Sequence, residues 1–150
     1  MQINVALVLL NWYIVIYRDP LVPQPRISSK LGICFVEDFS GVICVYLLKN
    51  KNHTVKATER FLADMAPYGK VKRFRCDNGT EFSSEEFRSL LIKNHIRQEF
   101  SAPYSPHQNG TAERSWRTLF DMARCLLDES NLPKYLWSYA VKAASYIRNR

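Results

Sequence analysis

The chain is 150 residues long, 47% hydrophobic and 13% aromatic, enough for one domain with a real core and incompatible with intrinsic disorder. A formal net charge of +7 and a pI near 9.4 point to a polyanionic partner such as nucleic acid. The four cysteines (Cys34, Cys44, Cys76, Cys125) contain no C-x-x-C pair and the histidines (His53, His95, His107) add no ligand spacing, which excludes a zinc module. Three of the cysteines read as reduced core residues of an intracellular protein.

The opening "MQINVALVLLNWYIVIY" is apolar, yet it carries Gln2, Asn4 and Asn11 and lacks a basic leader. It is also shorter than the about 20 residues a spanning helix needs, so no membrane partner is expected. Its second half, "WYIVIY", reads as a buried β-strand, and residues 1–11 as an irregular leader. A proline-rich loop follows, then "LGICFVE" and "VICVYLL" form a hairpin turning at residues 38–41, with Asp38 placed to cap the turn.

Residues 54–66 place Val55, Thr58, Phe61, Leu62 and Met65 on one helical face, and "VKRFRC" is the next strand. Its Lys70, Lys72, Arg73 and Arg75 are either a nucleic-acid-facing stripe or the protective charges of an edge strand. A capping box from Ser83 to Glu86 starts a helix burying Phe87, Leu90 and Leu91, and "IRQEF" is a short strand. From about Thr111 a helix carries Ala112, Trp116, Leu119, Phe120, Ala123, Leu126 and Leu127 on one stripe. Pro133 opens a last helix with Leu136, Tyr139, Ala140, Ala143 and Ile147 inward. Trp116 and Trp137 read as core residues. The alternation of strands and helices predicts an α/β fold with helices on a central sheet.

Three acids stand out. Asp77 ends a strand just before the Asn78-Gly79 turn, at the carboxyl end where α/β sheets bind ligands, although an Asp there also serves its own Asx-turn. Glu113 opens the long helix, with 35 residues between the two, and Asp19 ends the first strand. Three carboxylates on three rigid elements suit hard cations such as Mg2+. Three unrelated surface acids among 14 is the plainer alternative.

"DNGTEF", that 35-residue gap, "PYSPHQNGTAER" and "LPKYLWSYAVKAASYIRNR" together resemble the catalytic core of copia-type retrotransposon integrases, over roughly residues 12–150. The resemblance implies a ribonuclease-H-like fold with a five-stranded mixed sheet flanked by helices. It implies catalysis by Asp19, Asp77 and Glu113, which bind two Mg2+ (or Mn2+) ions for end processing and strand transfer of DNA. Asp19 begins "DPLVP", where the family has D-x-x-G-P with Gly at the position of Val22; Asp38 is the competitor for first ligand. Gly32 inside a strand is a further departure.

By the same resemblance residues 101–112 form a mobile active-site loop, stabilised by His107 and hinged at Gly110. Asn109, Arg114 and Arg117 contact DNA; Arg117 is otherwise an i,i+4 ion-pair partner of Glu113. The implied partners are element ends and target DNA, with homo-oligomerisation of the full-length protein. The implied location is the nucleus, or a cytoplasmic virus-like particle before nuclear entry. The zinc-binding amino-terminal and the carboxyl-terminal regions of a full integrase lie outside these residues. The alternative is an inactive or domesticated relic that binds nucleic acid without catalysis.

Overall fold

A computed structural model describes residues 9–18, 31–101 and 106–150. Five strands make one sheet: β1 (Leu9–Arg18), β2 (Leu31–Glu37), β3 (Ile43–Leu48), β4 (Lys70–Cys76) and β5 (Arg97–Phe100). Four helices accompany them: α1 (Thr54–Met65), α2 (Glu85–Lys93), α3 (Pro106–Glu129) and α4 (Trp137–Arg148). Single 3-10 turns, Lys51–His53 and Lys134–Leu136, lead into α1 and α4. The strand order is β3-β2-β1-β4-β5. β1, β2 and β3 are antiparallel, while β1–β4 and β4–β5 are parallel pairs, connected through β2, β3 and α1 in the first case and through α2 in the second. This is the expected five-stranded mixed sheet flanked by helices.

Alternation along the central strands sends side chains to two cores. Trp12 and Ile14 of β1, Ile33 and Phe35 of β2, and Phe74 of β4 pack under α1 and α2. Phe35 stacks on Phe61 of α1 with ring centroids 4.0 Å apart. Cys34 and Val36 face the other way, onto Trp116, Leu119 and Val141 of α3 and α4. With both faces covered, every residue of β2 is buried, and each fully buried large apolar side chain contributes about 1.5–3 kcal/mol.

A β-bulge keeps this phasing. Leu10 pairs with Val71 but Asn11 with Arg73, so Lys72 is the extra residue and both Val71 and Phe74 reach the α1 core. β4 lies between β1 and β5, so its basic residues are not the guard charges of an edge strand. Lys70 and Lys72 are exposed, whereas Arg73 and Arg75 are half-buried.

Several local expectations shift. β1 begins at Leu9, ahead of the "WYIVIY" run. Glu37, not Asp38, caps the hairpin: its Oε2 accepts from Phe39 N (3.1 Å), Ser40 N (2.5 Å) and Ser40 Oγ (2.7 Å). Those bonds outweigh the burial that opposes ionisation and hold the Glu37 pKa below its ordinary value. The N-cap of α2 is Ser84, whose Oγ accepts from Phe87 N, while Ser83 Oγ donates to Gly79 O. The predicted Ser83–Glu86 box therefore does not form.

α3 begins at Pro106, five residues before Thr111, because proline's fixed φ and missing N–H suit a first helical turn. The stretch expected to be loop through position 112 is thus helical from Pro106 onward. α4 is rotated from its predicted phase. Trp137, Ser138, Ala140, Val141, Ala144 and Ser145 are buried, while Tyr139, Ala143 and Ile147 are exposed. Trp137, Val141 and Ala144 pack into the second core, and on the same side Ser145 Oγ and Asn149 Nδ2 donate to Ile43 O while Asn149 Oδ1 accepts from Ile43 N. Among the described residues no helix is long and apolar enough to cross a membrane.

Candidate active site

β4 ends at Cys76, and the next residue, Asp77, is exposed. Its Oδ1 accepts from Gly79 N at 2.9 Å, the Asx-turn that the Asp-Asn-Gly sequence calls for. That bond engages one carboxylate oxygen. The strand end beneath it is fixed, since Ser101, just past β5, gives Cys76 O both its N–H (2.9 Å) and its hydroxyl (3.3 Å). Cys76 itself belongs to the α1-side core.

Glu113 lies near the start of α3 and is exposed. Flanking residues Ala112, Ser115 and Trp116 are buried and hold this part of the helix on the sheet, where α3 touches β1 and β2. Gly32 explains the close approach: a Cβ there would meet Trp116 Cη2 at 3.2 Å. A glycine that looked irregular in a strand is the notch that receives the tryptophan. Trp116 is 6% and Trp137 4% exposed, so both are core residues as expected.

Only residues 102–105 separate Ser101, fixed beside Asp77, from the first residue of α3. Five such steps span at most about 18 Å. Glu113 lies seven residues further along the helix, a rise of about 10 Å. These lengths bound the path from Ser101 to Glu113 at about 28 Å, so the two acids can belong to one site. Asp19 lies outside the described residues. Asp38 is exposed at the hairpin turn, with its backbone N–H donating to Asn11 O. Among the described residues no group of three or more His, Cys, Asp and Glu is arranged to hold a metal.

The candidate nucleic-acid side chains divide. Arg114 and Arg117 are exposed on α3 beside Glu113. No ion pair joins Arg117 to Glu113 among the described residues. The guanidinium of Arg114 folds back over Gly110, where an added Cβ would meet Nη1 at 3.0 Å. Gly110 is a buried residue within α3, not part of a loop in this structure. His107 and Asn109 lie in the first turn of the same helix, and their side chains are outside the described residues.

A basic cluster escaped sequence reading because β4 and β5 are distant in the chain. Glu99 gathers Arg73 (3.2 Å), Arg75 (3.2 Å) and Arg97 (3.7 Å). Its signal was the alternating "RFR" and "RQE" of the two parallel neighbours, whose register is Arg73↔Arg97 and Arg75↔Glu99. The four cysteines are free; burial raises the pKa of Cys34 and pushes Cys44 and Cys76 up to about 11.

A family model described as integrase core domain matches residues 29–106. A retrovirus-related Pol polyprotein from transposon TNT 1-94 of Nicotiana tabacum is 35% identical over 146 residues, covering 94% of this chain and 11% of that protein. One from transposon RE2 of Arabidopsis thaliana is 32% identical over 126 residues, covering 82% of this chain and 8% of that protein. The chain thus spans about a tenth of the length of these relatives. Among solved structures, a simian T-cell lymphotropic virus intasome in complex with PP2A regulatory subunit B56 gamma superposes with a TM-score of 0.69 at 22% identity. The match covers 91% of this chain and 46% of that one, and with the sheet order it fixes the fold as ribonuclease-H-like.

Proposed function

We propose that this chain, which belongs to the integrase core domain family found in retrotransposon Pol polyproteins, is the catalytic core of a copia-type integrase acting as a metal-dependent polynucleotidyl transferase. The observation that supports the reading is that Asp77, just past the fixed end of β4, and Glu113, near the start of α3, are both exposed carboxylates.

The donor chemistry fits a hard divalent cation. Asp77 keeps one carboxylate oxygen outside its Asx-turn, and Glu113 is exposed without an ion-pair partner among the described residues. Asp19 is the proposed third ligand. Bound Mg2+ or Mn2+, two ions in all, would lower the pKa of an attacking hydroxyl and stabilise the departing oxygen of a phosphodiester. The chain's own residues have separate tasks. Gly79 N–H holds the Asp77 carboxylate while Ser101 fixes the backbone of Cys76 before it, the Trp116–Gly32 notch holds α3 and so Glu113, and Arg117 offers a cation to DNA phosphate.

In the first reaction water attacks near an element end, the P–O bond to the 3′ oxygen breaks, and that oxygen takes a proton to leave a free 3′-hydroxyl. In the second this hydroxyl attacks a target phosphodiester in line, loses its proton, and the displaced target 3′ oxygen gains one. Element ends and target DNA are the proposed partners, a homo-oligomer the proposed state of the longer protein, and the nucleus the proposed place of action, after a virus-like-particle stage.

The test is joining of a labelled element-end oligonucleotide to plasmid DNA in Mg2+ or Mn2+. Joining by the parent, its loss in Asp77→Asn and Glu113→Gln, and its retention in Asp38→Asn support the reading. Inactivity of the parent, with the flanking regions restored, would identify a nucleic-acid-binding relic.

A further inference from the structure

Glu81 is an acid that the reaction above does not use, yet its surroundings cost the protein something to arrange. Its side chain is 7% exposed, in a turn where most neighbours are solvated. A buried carboxylate needs partners to remain charged. Lys51 Nζ, from the turn that leads into α1, donates to Oε1 at 3.0 Å, and Thr80 Oγ1 donates to Oε2 at 3.3 Å. Burial alone would raise its pKa; its own backbone N–H, with Lys51 and Thr80, reverses that, and the carboxyl sits below its ordinary range.

The location of this carboxylate gives it meaning. Gly79 lies between Asp77 and Glu81, and a Cβ at Gly79 would be 2.9 Å from Asp77 Oδ1, 2.9 Å from Glu81 Cδ and 3.0 Å from Glu81 Oε1. The glycine therefore lies between two carboxyl groups: Asp77 accepts its N–H, and the Glu81 carboxyl fills the space a side chain at position 79 would take. Downstream the turn is pinned again, where Phe82 N donates to Gly79 O at 3.0 Å and Gln98 Nε2 donates to Phe82 O at 2.7 Å. Lys51 is 30 residues from Glu81 in sequence, so the ion pair ties this turn to the rigid start of α1.

We propose that Glu81, clamped by Lys51, is a positioning residue that holds Gly79 against Asp77 and so presents the second oxygen of Asp77 to a divalent cation. The inference rests on the proposed function for the cation, but its positioning step concerns only this chain. It also accounts for two features of "DNGTEF": a side chain at Gly79 would collide with both carboxylates, and an uncharged residue at position 81 would leave Lys51 without its anion.

The test compares the parent with Glu81→Ala, Lys51→Met and the exchanged pair Lys51→Glu/Glu81→Lys. Two quantities are read: hydrogen exchange of the Gly79 amide by NMR, and the Mg2+ concentration that half-saturates the rise in melting temperature. Core amides such as that of Val36 report whether the fold is intact. In the first two variants we expect Gly79 exchange to accelerate about tenfold with Val36 unchanged, the sign of a local opening. The half-saturating Mg2+ should rise severalfold, and the exchanged pair should recover most of both. Should Gly79 protection and Mg2+ response stay at parent values in Glu81→Ala, the inference is overturned and the proposed function stands. If the parent ignores Mg2+ while Gly79 loosens in Glu81→Ala, the proposed cation role is overturned and the positioning stands.

Discussion

Gly32→Val tests whether the notch in β2 sets the seat of α3. At Gly32 the first added carbon already lies 3.2 Å from Trp116 Cη2 and 3.8 Å from Cζ3, and valine brings two further methyl groups. The indole has little room to retreat, being 6% exposed and packed on Phe120 with centroids 5.4 Å apart. Overpacking of this kind costs about 1–3 kcal/mol. Removing a glycine from a strand returns about 0.5–1 kcal/mol. The net loss runs from about 0 to 2.5 kcal/mol, and its midpoint of about 1 kcal/mol is a fall in melting temperature of roughly 2–4 °C for a chain of this size.

Urea denaturation followed by circular dichroism, with Trp116→Leu and the double variant alongside, measures it. Shortening the partner should relieve the clash, giving a favourable coupling of about 1 kcal/mol between the two substitutions. Strict additivity of Gly32→Val with Trp116→Leu would refute the notch.

Glu37→Gln should weaken the β2–β3 hairpin by about 1–3 kcal/mol at pH 7, because three donors lose a charged acceptor. The folded pKa of Glu37 is lowered from 4.5, so its contribution is present above about pH 4.5 and is lost as pH falls through the folded value. Parent and variant stabilities, compared by urea titration at pH 7 and pH 3, should therefore converge in acid. Thiol labelling of the native protein by a disulfide reagent at pH 7.5 should modify exposed Cys125 first, half-buried Cys44 next, and Cys34 and Cys76 last, the latter two protected by burial and all three by raised pKa values; mass spectrometry of the labelled peptides reads the order. Arg117→Glu should weaken DNA binding and flatten its salt dependence by about one to two counterions, without altering the fold. An unchanged salt slope in fluorescence anisotropy would remove Arg117 from the interface.

Hydrophobic periodicity was enough to find the elements whose packing faces are large and continuous. Phe61 on α1, Phe87 and Leu91 on α2, and Trp116, Leu119 and Phe120 on α3 are buried as their spacing predicts. α4 carries two competing stripes: Trp137, Val141 and Ala144 are buried rather than Tyr139, Ala143 and Ile147, and Ser145 and Asn149 bond the Ile43 backbone on the same side. That interaction joins residues more than 100 positions apart, and no local pattern announces it. The same holds for the cap of the β2–β3 turn, where Glu37 and Asp38 compete one residue apart and only the observed bonds choose.

The candidate site was legible in part, for related reasons. Asp77 was marked by its own turn chemistry and Glu113 by the helix around it. The approach of Glu81 to Gly79 and the arginines around Glu99 depend on contacts between separate elements. Helical capture of residues 106–110 followed from Pro106, whose helix-starting role was overshadowed by the prolines and Asn-Gly pair of the apparent loop.

The central claim is that Asp77 and Glu113 converge on one cation site. Its most direct measurement is Mn2+ titration of the 15N-labelled protein by NMR, in which the paramagnetic ion broadens amide signals near its binding site. The account predicts that substoichiometric Mn2+ broadens the amides of residues 77–79 and 112–114 together, and that Asp77→Asn or Glu113→Gln removes both effects at once. Broadening confined to one of the two segments, or centred elsewhere on the chain, would contradict it.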